Sequence, residues 1–192
     1  MATMPGADGA EVRPFRDAAE FDAWLADHHG HQPGVWLKLA KAGSGIASMT
    51  ADEAVDVGLC WGWISGQRRG LDDTFYLQKY VPRRPRSRWS QVNVRKVEEL
   101  TAAGRMRAPG LAEVEAAQHD GRWAAAYVSQ KEFTVPDDLR AGLDADPEAA
   151  AAYDALSRTD QYAVVLDLVT ARQPEVRAAR VRKALDHLAA AR

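Results

Sequence analysis

The chain has 192 residues, 46% of them apolar and 27% charged, with a formal net charge of −2, the profile of a soluble globular protein of one domain or two small ones. That balance excludes a protein that coats nucleic acid by bulk charge, so any basic site must be local. A single cysteine, Cys60, excludes an internal disulfide framework and a multi-cysteine zinc site. No stretch approaches the ~18 apolar residues of a membrane span, and Met1 to Pro14 has neither the basic start nor the apolar core of a signal peptide. The expected location is therefore the cytoplasm.

Residues 1–13, rich in Ala, Gly and acidic residues without periodicity, read as a disordered lead-in. Asp17 and Glu20 have capping-box spacing, and Phe21, Trp24, Leu25 and His28 then recur on one helical face. Gly34 opens a strand in which Val35, Leu37 and Leu39 alternate with Trp36, Lys38 and Ala40, closed by the turn Gly43-Ser44-Gly45. Thr50 and Glu53 form a second capping box, starting a helix with Ala54, Val57, Gly58 and Trp61 on one face and an end at Gly62. The period then changes to two, and Trp63–Arg69 and Thr74–Val81 around the turn Gly70–Asp73 predict a hairpin. Together these segments predict an antiparallel sheet of about three strands, one face covered by helices.

Everything after Ser90 reads as helix. Ser90 caps a helix to Leu100 that ends at Gly104, and Pro109 sits in the first turn of the next. Pro136 with Asp137 and Asp138, Asp146-Pro147-Glu148, Ser157 to Asp160, and Pro174 mark four further starts. On the last helix Val181, Ala184, Leu185 and Leu188 form an apolar stripe, with Arg177, Arg180, Arg182 and Lys183 mostly off it. The fold class is α+β: a small sheet packed with helices, followed by a mostly helical C-terminal half.

The segment Pro82-Arg83-Arg84-Pro85, with Ser87, Trp89-Ser90 and Asn93, together with Gly58-Leu59-Cys60-Trp61-Gly62-Trp63-Ile64, resembles the bacterial YdeI/OmpD-associated family of bacteriocin-protection proteins. Trp24-Leu25 with His29, Gly34 to Leu37, Gly104-Arg105-Met106 with Gly110, Gly121-Arg122-Trp123, and Pro174-Glu175 with Arg177 and Arg180 follow in the same order. The resemblance extends over roughly Phe15 to Leu188. It implies a compact cytoplasmic α+β protein linked to bacteriocin, antimicrobial-peptide or envelope stress, organised as a single domain over residues 14–192. Within it, residues 14–89 form a strand-containing part and residues 90–192 a helical part. Ser65 stands where the family usually carries aspartate, which excludes a catalytic carboxylate there, and Val176 stands where it usually carries threonine.

Four arginines and a tryptophan directly before a helix start suit an anion. Arg83 and Arg84 offer bidentate guanidinium contacts, Ser87, Ser90 and Asn93 neutral hydrogen bonds, and the helix start unpaired N–H groups. The competing reading is a loop whose arginines pair with surface acids, with Trp89 buried and Ser90 acting as a cap. Trp61 and Trp63 around Gly62 are core rings or a stacking platform. Arg177 and Arg180, one turn apart, either complete the site or form exposed pairs. The candidate ligand site thus comprises Arg83, Arg84, Ser87, Trp89, Ser90, Asn93, Trp63, Arg177 and Arg180.

Cys60 reads as buried and inert, and the spacing of His28, His29 and His31 is not a zinc pattern. No metal or other cofactor is expected. The leading function is binding of an anionic small molecule or an acidic protein partner. The rival is an enzyme acting on a phosphorylated or carboxylated metabolite, with Asp72, Glu175 or His29 as acid or base. Nucleic acid, prompted by Lys79, Arg83, Arg84, Arg86, Arg88, Arg95, Lys96, Arg105 and Arg107, is the least favoured partner.

Overall fold

A computed structural model describes residues 4–5 and 8–190. The chain divides into two compact units, Met1–Ser87 with Arg95–Ala116, and Arg88–Val94 with Ala117–Arg192. The first unit thus takes back a segment, residues 95–116, that lies in the helical part expected from residue 90 onward.

The first unit contains β1 (Met4–Pro5), β2 (Glu11–Pro14), α1 (Ala18–His28), β3 (Val35–Ala40), α2 (Ala51–Cys60), β4 (Trp63–Gly70) and β5 (Phe75–Pro82). It also holds most of α3 (Gln91–Ala102) and α4 (Ala108–His119). The α+β class holds, but the sheet is larger than three antiparallel strands. Its order is β1-β2-β3-β5-β4, four full strands with the two-residue β1 at one edge.

The sheet is mixed because β2 runs parallel to β3, Val12 opposite Trp36. Parallel neighbours need a crossover, which α1 supplies. The lead-in expected over residues 1–13 therefore carries strand at Met4–Pro5 and from Glu11 onward; residues 1–3 and 6–7 lie outside the described residues. A four-residue strand bearing Glu, Arg and Pro has no alternation to announce it. It is held by its neighbour rather than by its own pattern.

Local signals account for the helices. Asp17 caps α1 by accepting from Glu20 N–H at 2.9 Å, while Glu20 turns back to Arg16 N–H instead of completing the box. Thr50 and Glu53 form the complete box on α2. Phe21, Trp24 and Leu25 of α1 and Ala54 and Val57 of α2 pack with Val35, Leu37, Leu39, Trp63, Tyr76 and Tyr80 on one face of the sheet. Phe21 meets Tyr80 edge-on at 5.8 Å.

In the second unit α5 (Asp137–Ala145), α6 (Pro147–Ala155), α7 (Arg158–Val169) and α8 (Pro174–Ala190) enclose Phe133, Leu139, Leu143, Tyr153, Val165, Leu168, Val181 and Leu188. Asp146 accepts from Glu148 and Ala149 N–H, and Ser157 from Asp160 N–H. Their side chains satisfy orphan donors at the starts of α6 and α7.

Asp8 ties the N-terminal segment to the sheet. It accepts from Trp36 Nε1 at 3.0 Å and pairs with Lys79 Nζ at 2.8 Å. The Lys79 ammonium and then the Trp36 N–H hold its carboxyl well below the usual carboxylate range. A depressed folded-state pKa contributes stability that is fully present above the unfolded aspartate value of ~3.9 and is lost as acid protonates the folded carboxylate. Asp8→Asn should therefore lower stability at neutral pH, by a margin that narrows as the pH falls below that value. Urea denaturation of both proteins at about pH 7 and about pH 2.5 checks this; an unchanged margin would refute it.

Candidate functional site

The end of α2 is pressed into the polypeptide that follows α3. Gly58 faces the Tyr80 ring, where a Cβ would stand 3.1 Å from it. Trp61 closes the helix with its N–H on Gly58 O, and Gly62, at φ +73°, reverses the chain in the left-handed region that favours glycine. The Cys60 carbonyl then accepts Arg107 N–H at 3.1 Å. Gly110 abuts the same oxygen so closely that a Cβ there would lie 2.2 Å away. These backbone contacts seat the start of α4 against α2.

That seating brings together residues far apart in sequence. Asp22 on α1 accepts from Trp61 Nε1 at 2.7 Å and, through its other oxygen, from Arg107 Nη2 at 3.0 Å. The Arg107 guanidinium lies 5.8 Å from the Trp61 ring, on which His29 stacks at 5.5 Å. Arg105 stands 3.7 Å from Asp56, which also holds Lys96 at 2.8 Å; Asp52 is the second partner of Lys96 at 2.9 Å. Burial lowers the Lys96 pKa, but bonds to Asp56 and Asp52 outweigh it, and the net shift is upward.

Between the first turn of α1, the end of α2 and the Gly104–Arg107 turn lies a cavity of about 370 Å³, lined in part by Asp22, Val57, Cys60, Arg105 and Arg107. The side chains of Arg105 and Arg107 are half exposed, at 50% and 48%. Ala18 and Ala19, at the partially positive start of α1, complete one wall. The lining sets two guanidiniums and the start of α1 beside one carboxylate, with Asp56 paired to Arg105 outside it, and the guanidinium donors left over suit a small carboxylate or phosphate. Cys60 is buried, and burial pushes its thiol pKa up against the opposing pull of Arg105.

The residues singled out in the sequence are distributed differently. In the first unit Arg83 is buried, with its N–H on Gly62 O at 2.9 Å, beside Pro82, which pairs with Trp63. Trp63 is a core ring whose Nε1 donates to His29 O at 2.7 Å. Arg84 is exposed and closes a turn with Ser87: its N–H donates to Ser87 Oγ at 2.9 Å, and Ser87 N–H returns to Arg84 O at 2.8 Å.

In the second unit Trp89 is buried edge-on to Trp123 at 4.8 Å. Ser90 caps α3, accepting from Asn93 N–H at 3.2 Å, and Gln91 N–H bonds Tyr127 O. Arg177 grips Asp138 with two bonds, at 2.6 and 3.0 Å, tying α8 to α5. Arg180 binds the Asp167 carboxylate at 3.1 Å and its carbonyl, tying α8 to α7. Ser87, Ser90, Arg177 and Arg180 thus have partners within the fold. Of the acid–base candidates, Asp72 accepts from Thr74 and Phe75 N–H in the hairpin turn, His29 stacks on Trp61, and Glu175 lies in the first turn of α8.

Two families match separate stretches of the chain. Residues 13–113 match a family described as Domain of unknown function (DUF8412). The chain belongs to that family. Residues 132–191 match the family described as Bacteriocin-protection, YdeI or OmpD-Associated, so α5–α8 form a YdeI/OmpD-associated domain. This match is narrower than the resemblance over Phe15–Leu188. The motifs at residues 58–64 and 82–93 fall in the DUF8412 part, whereas Pro174, Glu175, Arg177 and Arg180 fall in the YdeI/OmpD-associated part. No curated protein and no solved structure matches the chain.

No sequence spacing marks Asp22; Arg107 stands there only among the basic residues, and Arg105 both among them and in the family motif Gly104-Arg105-Met106. The available signal was the Gly104-Arg105-Met106-Arg107 run, two cations just past a helix C-terminus. The burial and raised pKa of Cys60 predict slow reaction of the native thiol with a disulfide reagent and rapid reaction in denaturant. Absorbance of the released thiolate in both conditions checks this; equal rates would place the thiol in solvent.

Proposed function

We propose that the protein is a cytoplasmic bacterial resistance-associated binding protein whose DUF8412 part takes a small anion, a carboxylate or phosphate, in the cavity between α1, α2 and the Gly104–Arg107 turn. The observation that carries this reading is the convergence of Arg105 and Arg107 on one cavity at the start of α1. Arg107 keeps most of its five N–H donors after bonding Asp22. The association with resistance rests on the bacteriocin-protection family matched by residues 132–191.

Binding is favoured over catalysis because Asp22, the carboxylate facing these arginines, already accepts from Trp61 and Arg107 through its two oxygens. Both oxygens are thereby engaged by donors of the fold.

Thermal denaturation across inorganic phosphate, phosphorylated metabolites, carboxylates and nucleotides tests the reading. A ligand at 100 times its Kd stabilises by ~2.7 kcal/mol, raising Tm measurably. Arg105→Ala and Arg107→Ala should abolish that rise, and Arg84→Ala should leave it. Loss of the rise in Arg84→Ala alone would move the site to the loop after β5, and no rise with any anion would overturn the reading.

A further inference from the structure

The sheet of the first unit has a second face. Its register sets Lys38 of β3 opposite Leu77 of β5, and Leu77 opposite Arg69 of β4. Lys38, Leu77 and Arg69 therefore form one row across three strands, on the side away from α1 and α2. Trp36 and Phe75, two residues along from Lys38 and Leu77, lie on the same side.

Both cations rest on rings. Lys38 Nζ is 4.0 Å from the centre of the Phe75 ring, and the Arg69 guanidinium is 4.7 Å from that of Trp36. Lys79, also on this face, is neutralised by Asp8. Lys38 and Arg69 have no carboxylate within ion-pair distance among the described residues. Asp72 stands in the adjoining turn with Oδ1 engaged by Thr74 and Phe75 N–H. The face thus presents two cations, steadied by the rings beneath them and flanking an apolar strip, with Arg69 exposed and Lys38, Leu77 and Phe75 partly so.

We propose that this face binds single-stranded nucleic acid. Lys38 and Arg69 would take backbone phosphates, while a base would lie over Leu77 and Phe75 and against the outer plane of the Arg69 guanidinium. Flat bases match a partly exposed apolar strip bordered by a guanidinium plane, and single strands expose both π-faces and phosphates to one shallow surface. An acidic peptide would satisfy the charges alone. The near-neutral chain does not oppose the proposal, because the site requires only local charge; weak, salt-sensitive binding follows from two phosphate contacts.

Fluorescence anisotropy of labelled 12-nucleotide DNA and RNA single strands, titrated with the full chain at low salt, tests it, with a duplex of the same DNA as control. Single strands should bind and the duplex bind several-fold more weakly, and the two single-strand arms show which sugar is preferred. Lys38→Ala and Arg69→Ala should each weaken binding several-fold and flatten the plot of log K against log salt by about 0.7. Phe75→Leu should weaken binding without changing that slope. Arg105→Ala should leave it unaffected, which separates this face from the anion cavity. The proposal falls if neither single strand binds, if the double variant Lys38→Ala, Arg69→Ala binds like the parent while melting like it, or if polyglutamate displaces the strand at equal charge concentration.

Discussion

The first unit depends on one close backbone approach, the packing of the α4 start against the carbonyl of Cys60. That oxygen is bonded by Arg107 N–H and has Gly110 directly against it, leaving no room for a Cβ. Gly62, reversing the chain two residues after Cys60, would itself place a Cβ 3.0 Å from Pro109 O. Three glycines, at 58, 62 and 110, therefore let helix, strand and returning helix meet at a distance that larger residues would forbid. Because the Arg107 backbone is bonded at this junction, the origin of its side chain is set by the fold, and only the guanidinium remains to be aimed. Asp22 aims it from a position 85 residues away.

The second unit solves a similar problem by other means. Burying side chains such as Leu139, Val165 and Leu168 contributes ~1.5–3 kcal/mol each. The partly exposed pairs of Arg177 with Asp138 and Arg180 with Asp167 belong to a class of interaction that typically gives ~0–1 kcal/mol. The apolar stripe of α8 drives its docking. The arginines, by gripping α5 and α7 at separate points, set the rotation and register in which it docks. The same residues that read as candidate ligand contacts are accounted for by helix-to-helix registration.

Elements whose cause is local were legible in the sequence. Thr50-x-x-Glu53, Asp17, Pro147 and Pro174 announce helix starts within a residue or two, because capping is decided by four adjacent residues. Strand β2 was not legible: Glu11 to Pro14 gains its state from a parallel neighbour across the α1 crossover. The arrangement of the arginine segment was not legible for a related reason. A string of letters cannot distinguish Arg83, which the fold buries, from Arg84, which it exposes. Nor can it reveal that Ser87 and Ser90 have backbone partners. The cavity joins Asp22 of α1 to Arg105 and Arg107 beyond α3, a juxtaposition with no sequence spacing to detect.

The Asp22–Arg107 pair also limits what the cavity would hold tightly. Asp22 orients the guanidinium while placing a negative charge in the lining, so an incoming anion gains the attraction of two arginines and meets the repulsion of Asp22 and of Asp56, the partner of Arg105. Trp61 Nε1 restrains Asp22 from swinging aside. A monoanion therefore gains little over water, whereas a ligand with two negative charges, or with oxygens spaced to engage both guanidiniums at once, gains in proportion to its extra contacts. Half-exposed arginines at the mouth add the screening of solvent. Such a lining favours reversible exchange with an abundant dianion over irreversible capture of a scarce one, and links affinity to the ligand's second ionisation.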